Sequence, residues 1–316
     1  MHAASTVTRR GYAKVNLALA VGPPIPAPRP FAGYHPIASW MVSVDLFDDV
    51  TVEPLGDAAA SRYVIEWSDA APRRSAVDWP LDKDLAVRAH RLLEKEAGRD
   101  LPVALRVVKR IPVGGGLGGG SADAGAALLG VRDAFGLSIP TPRLAGLAAS
   151  LGSDVGFFVD DHAPARPAVV SNLGERIERV GRVGGAVVLI FPPFGCPTGA
   201  VYKAFDAAEG GGESEDASSF TERAAAVQRL VDAAVENDRI ATDELFNDLA
   251  APACTVEPRL REGIDRLGAE LNAKVHVTGS GSTLFVLGED SDHAARLAAR
   301  VPMVRPGFGA IATRLV

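Results

Sequence analysis

Cysteine is nearly missing from this chain: Cys196 and Cys254 are the only two in 316 residues, and they lack any paired spacing. That excludes a disulfide framework and a cysteine-rich zinc module, and leaves two reduced, structural thiols. No apolar run approaches the about 20 residues that a membrane-crossing helix needs, so no membrane association is expected. Positive charge is not in excess either, with 33 Lys and Arg against 39 Asp and Glu. A net charge of −6 argues against a nucleic-acid binder, which needs concentrated Lys and Arg for phosphate contacts. The opening MHAASTVTRR has neither the apolar core nor the cleavage site of a secretory signal. It reads as a loose tail, and the cytoplasm is the expected compartment. Nothing implies a protein partner.

What is present fits a globular protein, at 47% hydrophobic and 23% charged residues. The length exceeds a usual single core and predicts two domains, 1–165 and 166–316, sharing a cleft that suits a two-substrate enzyme. Strand patterns cover Gly11–Val21, 37–52, 62–67, 103–108 and 186–191, and two more, 274–277 and 283–287, bracket the turn TGSGS. Helical spacing covers 85–96, the Ala-rich 121–135, 144–151 with Thr141 as cap, 221–235, 259–267 and 293–300. The proline-rich stretch 22–30 predicts extended backbone, and the Gly-, Ser- and acid-rich 207–219 predicts a mobile surface loop. Strands and helices interleave without strict alternation, which points to α+β layers.

The segment 112-PVGGGLGGGSADAGAALLG-130 carries the most information. Six of the seven residues from Gly114 to Gly120 are glycine, so the backbone can take positive φ and bring N–H groups close to an anion. Ser121 and Asp123 follow at a helix start, where exposed N–H groups and the helix dipole favour phosphate. Gly120 is followed by Ser121 and Ala122 rather than Lys and Ser/Thr, so this is not a Walker A loop. Gly114, Gly116 and Gly119 do spell GxGxxG, which keeps a dinucleotide-binding oxidoreductase as an alternative. That reading requires a second parallel strand about 20 residues on, where the chain instead has SIPTP.

Three ordered motifs resemble the GHMP kinase superfamily: 13-AKVNLAL-19, the loop KRIPVGGGLGGGSADA and 277-VTGSGSTLFVL-287. The resemblance spans most of the chain and implies a two-domain α+β fold with the active site in the interdomain cleft. It implies that ATP, with Mg²⁺, is held by Pro112, Val113, Gly114, Gly115, Gly116, Leu117, Gly118, Gly119, Gly120, Ser121 and Ala122. Together with GYH at 33–35 and LGSDVGFF at 151–158, the motifs look most like the branch that phosphorylates the 2-hydroxyl of a cytidine-diphosphate-linked methylerythritol in non-mevalonate isoprenoid synthesis. That implies Lys14 and Asp154 as catalytic residues. Their chemistry suits the role, a carboxylate orienting or deprotonating a hydroxyl beside an ammonium that offsets developing charge.

The same likeness implies a cytidine pocket of Asn16, Tyr34, His35 and Tyr202, with Gly279 and Ser280 of the late turn closing over the glycine loop or the acceptor phosphates. Asn and neutral His each offer donor and acceptor to a base edge, and Tyr offers a stacking face. Two features depart from the branch. Phe31 and Ala32 replace an acidic residue before GYH, and Asp84 stands where an Asn commonly precedes Leu. Other acceptors within the superfamily, homoserine, mevalonate or a sugar, remain alternatives that would have no use for the Asn16, Tyr34 and His35 set.

Overall fold

The computed structural model describes residues 5–56, 58–208 and 217–316. In chain order it places β1 (Val7–Val21), β2 (Ile37–Pro54), β3 (Arg62–Trp67), α1 (Leu85–Ala97), β4 (Val103–Lys109) and α2 (Gly119–Ala134). Two short helices follow, α3 (Thr141–Ala148) and α4 (Val155–Phe158), then β5 (Ala168–Asn172), β6 (Arg176–Arg179) and β7 (Gly185–Phe191). The remainder comprises α5 (Thr198–Ala208), α6 (Ala217–Asn237), α7 (Ala250–Val256), α8 (Pro258–Leu271), β8 (His276–Val277), β9 (Leu284–Gly288), α9 (Ser291–Val304) and β10 (Gly309–Leu315). The chain divides into two compact units, the described residues of 1–13, 46–113 and 118–165, and those of 14–45, 114–117 and 166–316. Among the described residues no helix is long and apolar enough to cross a membrane.

In the first unit β4 runs antiparallel to the end of β2 and parallel to β3. Its alternation is plain: Val103, Leu105 and Val107 face inward onto Ala89 and Leu93 of α1 and Ala124, Ala127 and Leu128 of α2. Lys109 falls on the same inward register and is 3% exposed. Helix α2 is buried on nearly every side, which its run of Ala and Gly allows by letting neighbours approach closely. The segment after α2 is α3 and α4, not a second parallel strand, and the next strand, β5, lies antiparallel to β2. The dinucleotide-binding alternative is thereby removed.

The second unit is built around β7, whose continuous apolar run GAVVLIF is buried on both faces between antiparallel β10 and β9. Helix α9 covers β7 and β10, and β8 pairs with β9 across the TGSGST turn. Strands β5 and β6 form a hairpin on the first half of β2.

Several expectations need correction. Strand β1 begins at Val7, so 7–10 is strand rather than tail, residues 1–4 lying outside the described ones. The stretch 22–30 is not extended throughout: Gly22 N–H donates to Pro36 O at 2.7 Å, Ile25 N–H to Tyr34 O at 2.8 Å and Gly33 N–H to Ile25 O at 2.9 Å, and Arg29 N–H closes a turn on Pro26 O at 3.1 Å. These bonds close it into a folded loop. Thr141 is the first helical residue of α3, with Pro140 in the cap position. Of the acidic stretch 207–219, residues 209–216 lie outside the described ones, while 217–219 begin α6. Both cysteines are free and buried, and burial pushes the Cys196 thiol up to about 11.

Candidate active site

The glycine loop is shaped by its own φ angles. Gly114, Gly116 and Gly118 sit at +72°, +78° and +70°, a region that other residues seldom adopt. Gly118 is the N-cap of α2, and Ala122 N–H makes the first helical bond, to Gly118 O at 2.8 Å. The N–H groups of Gly119, Gly120 and Ser121 therefore have no acceptor within the helix. Together with the dipole of a 16-residue helix they form a donor set suited to phosphate oxygens.

In the first unit a buried ionic cluster fixes the flanks of this loop. Lys109 Nζ lies 2.6 Å from Asp48 Oδ2 and 2.5 Å from Asp123 Oδ2. Asp48 Oδ1 also accepts the backbone N–H groups of Arg110 and Ile111. One residue thus ties together the end of β4, the middle of β2 and the second turn of α2. Asp123 Oδ1 is buried without a partner among the described residues. Burial pushes the Asp123 carboxyl well above its usual range, an effect that Lys109 opposes and Asp48 reinforces. Burial alone would lower Lys109, but its two carboxylates hold it above its usual value. The sequence reading gave Asp123 only a helix-start role and did not single out Lys109 or Asp48. The signal was there, since Lys109 continues the inward alternation of β4 and an inward lysine demands carboxylates.

In the second unit, residues 114–117 are held by β1 and the TGSGST turn. Lys14, 3% exposed, donates from Nζ to Gly116 O at 2.9 Å and to Asn16 Oδ1 at 2.6 Å, and from its backbone N–H to Leu117 O at 2.9 Å. Asn16 is fixed in turn: its Nδ2 donates to Ser39 Oγ at 2.8 Å and its backbone N–H to Thr278 Oγ1 at 3.0 Å. Thr283 N–H donates to Gly115 O at 3.2 Å. A Cβ added at Gly116 would sit 2.3 Å from Thr278 O, so only glycine permits the turn to approach this closely. Gly279 packs on Gly116 as well, and Ser280 Oγ pairs with Thr198 Oγ1 at 2.9 Å. The structure thus brings Lys14, Asn16, Gly115, Gly116, Leu117 and Gly279 into one network, while the Ser280 hydroxyl is tied to α5 through Thr198. Asn247, not singled out by sequence, joins it by donating to Val277 O and Gly279 O, each at 2.8 Å.

The Tyr-His pair lies at the end of the folded loop. His35 is buried, its Nδ1–H donating to Gly22 O at 2.8 Å and its Nε2 lying 3.2 Å from Asp206 Oδ1. Its ring is 5.2 Å from that of Tyr202 on α5 and 5.7 Å from Phe205. Tyr34 is 62% exposed, with Phe31 edge-on at 6.1 Å. Asp154, in the first unit, stands at the N-cap of α4 but makes no side-chain bond to that helix. Asp84 caps α1: Oδ1 accepts from Ala86 N–H at 2.9 Å and Val87 N–H at 3.3 Å, and Oδ2 from Trp79 Nε1–H at 3.0 Å.

Residues 84–165 match the model of the GHMP kinases N terminal domain. The chain is 36% identical over 302 residues to a 4-diphosphocytidyl-2-C-methyl-D-erythritol kinase of Caulobacter vibrioides (strain NA1000 / CB15N), with 94% of each chain covered. It is also 36% identical over 301 residues to the kinase of the same name from Thermobifida fusca (strain YX), covering 95% of this chain and 92% of that one. A crystal structure of 4-(cytidine 5'-diphospho)-2C-methyl-D-erythritol kinase superposes with a TM-score of 0.72 at 30% identity, covering 98% of this chain and 99% of the other. Likeness of that extent, covering nearly the whole chain, places the chain in the 4-diphosphocytidyl-2-C-methyl-D-erythritol kinase family of the GHMP kinases.

Proposed function

We propose that this enzyme transfers the γ-phosphoryl group of ATP to the 2-hydroxyl of 4-diphosphocytidyl-2-C-methyl-D-erythritol, in the non-mevalonate route to isoprenoid precursors. The observation that carries phosphoryl transfer is the buried Lys14 ammonium, anchored on the carbonyl of Gly116 in the glycine loop. The acceptor follows from the family. The ATP-binding part is residues 1–165, the partner domain is 166–316, the reaction occurs in the cleft between them, and the compartment is the cytoplasm.

In this reading the N–H groups of Gly119, Gly120 and Ser121 receive the phosphates, within a loop running from Pro112 to Ala122. ATP arrives as its Mg²⁺ complex, and Ser121 serves the phosphates or the water shell of the metal. Asp154 orients the acceptor hydroxyl and takes its proton as the new O–P bond forms and the bond from γ-phosphorus to ADP breaks. Lys14 offsets the charge that develops on the transferred group. Asn16, Tyr34, His35 and Tyr202 hold the cytidine, Tyr34 by stacking, and Gly279 and Ser280 border the acceptor phosphates. Since the Asn16 carboxamide already holds Lys14, base recognition and catalysis would share one residue.

Single-turnover transfer at saturating ATP and acceptor tests the catalytic pair. Asp154→Asn should lower the rate by about 10²- to 10⁴-fold with both affinities retained, and Lys14→Met comparably. The double variant should be scarcely worse than either alone. Near-normal transfer by Asp154→Asn removes it from the mechanism. Turnover of mevalonate, homoserine or galactose in preference to the cytidine-linked polyol, or failure of CMP to compete with the acceptor, overturns the assignment of substrate.

A further inference from the structure

The folded loop between β1 and β2 carries two adjoining aromatic rings that the core does not bury, Phe31 at 65% exposed and Tyr34 at 62%. Phe31 also sits at φ +62°, an outlier for a bulky side chain. The other three non-glycine residues at positive φ among the described residues are Asn172, Asp238 and Asn272, types whose short polar side chains tolerate that region. Backbone bonds hold Phe31 there: Tyr34 N–H donates to Phe31 O at 2.9 Å, and Gly33 N–H, at φ +82°, to Ile25 O at 2.9 Å. Strain of this kind persists only where the surroundings impose it, and it gathers at ligand clamps. Two apolar rings kept in water on a strained backbone are explained by binding and not by burial. The rings meet at 79° with centroids 6.1 Å apart, the edge-to-face arrangement that aromatic pairs favour. An exposed tyrosine is free to change rotamer, and a base stacking on it must first remove that freedom. Contact with Phe31 removes part of it beforehand.

We propose that Phe31 is a positioning residue for acceptor recognition, its ring bracing the Tyr34 ring in the orientation on which the cytosine of the acceptor stacks. This rests on the function proposed above, in which Tyr34 holds the cytidine. The next residue, His35, is already fixed, buried and bonded to Gly22 O, so the exposed Tyr34 ring is the member of the pair that needs a brace. Phe31 lies where the chain departs from its branch, ahead of GYH, and the brace therefore belongs to this chain and not to the shared motif.

Calorimetric binding of CMP to the full-length protein, with ATP as control, provides the test. Phe31→Asn suits the left-handed φ and removes the ring. It should weaken CMP about three- to tenfold, the worth of one aromatic pair, and raise the acceptor KM by the same factor with kcat and ATP affinity unchanged. Its thermal midpoint should stay level or rise, because the strain is relieved and little burial is lost. Phe31→Tyr keeps the ring and should bind CMP as the native protein does. On a Tyr34→Ala background Phe31→Asn should cost nothing further, since the brace has nothing left to hold. Unchanged CMP affinity in Phe31→Asn overturns the inference and leaves the assignment of Tyr34 standing. So do additive losses in the double variant, which would make Phe31 an independent contact, and a midpoint that falls along with affinity, which would make it a prop of the loop. Failure of the native protein to bind CMP brings down the assignment of Tyr34, and the brace with it.

Discussion

The two ends of the glycine loop and its crown are secured by opposite means. At the flanks, three charges do the holding: one ammonium, Lys109, between the carboxylates of Asp48 and Asp123, all buried. At the crown, closeness does it. Gly116 lies so near Thr278 that a single added carbon has no room, and the ties are bonds to backbone carbonyls. The first arrangement is vulnerable to a change of charge at constant volume, and the second to a change of volume at constant charge.

The largest break in that comparison should come from Lys109→Met, which keeps the length of the chain and strands two buried carboxylates. Removing one member of a buried ionic group costs about 3–5 kcal/mol, and the urea midpoint should fall accordingly. The two carboxylates sharpen the point, because they are not equivalent. Asp48 also accepts two backbone N–H groups, while one oxygen of Asp123 has no partner among the described residues. Asp48→Asn should therefore destabilise more than Asp123→Asn. The sign of the pH dependence follows from the raised Asp123 carboxyl. Its contribution to stability is full below the usual carboxylate value and is lost as pH rises through the higher folded one. Asp123→Asn should flatten that decline in urea midpoints measured across pH, and an unchanged slope would mean that another group causes it.

The crown should respond to volume instead. In Gly116→Ala the new Cβ would lie 2.3 Å from Thr278 O and 3.2 Å from Gly281 O, at φ +78°. Gly114→Ala shares the positive φ, +72°, but meets nothing within 4 Å. Both variants bear the left-handed backbone cost of about 1–2 kcal/mol, and Gly116→Ala alone adds overpacking of about 1–3 kcal/mol. ATP affinity by calorimetry should fall further for Gly116→Ala, and equal losses would mean that backbone strain rather than contact governs the crown.

The same contrast explains what could be read from the sequence. The glycine loop, the AKVNL strand and the late glycine turn announced themselves by composition, and α1 and β4 by clean periodicity. Strands β5 and β6, of 5 and 4 residues, span too few alternations to show a period, and their pairing on β2 is a long-range contact. Strand β10 lies beyond the last element expected from the sequence, and its backbone pairs along the whole of β7. Of the site, the loop and its Lys14 and Asn16 neighbours were legible as motifs. The inward position of Lys109 was legible in the alternation of β4, but its partners were not, because the two carboxylates lie 61 residues before and 14 residues after the lysine and only the fold joins them.

The smallest effect concerns Asp84, which stands where the resembling branch commonly has an Asn before Leu. The structure gives the carboxylate a structural occupation. Oδ1 caps α1 through Ala86 and Val87, and Oδ2 accepts the indole N–H of Trp79. An acceptor is needed on both sides, and Asn supplies only one, so its amide would set a donor against Trp79 Nε1–H. Asp84→Asn should keep the cap and lose the indole bond, for about 1 kcal/mol. Asp84→Ala should lose both bonds, with the cap alone worth about 0.5–2 kcal/mol. ATP affinity should stay within about twofold for either variant, equivalent to roughly 0.4 kcal/mol. Paired thermal scans with and without ATP separate the two roles. Severalfold tighter ATP binding by the Asp84→Asn variant would make the position a nucleotide contact, whereas a lowered midpoint with an unchanged ATP shift is the result expected of a helix cap braced by a tryptophan.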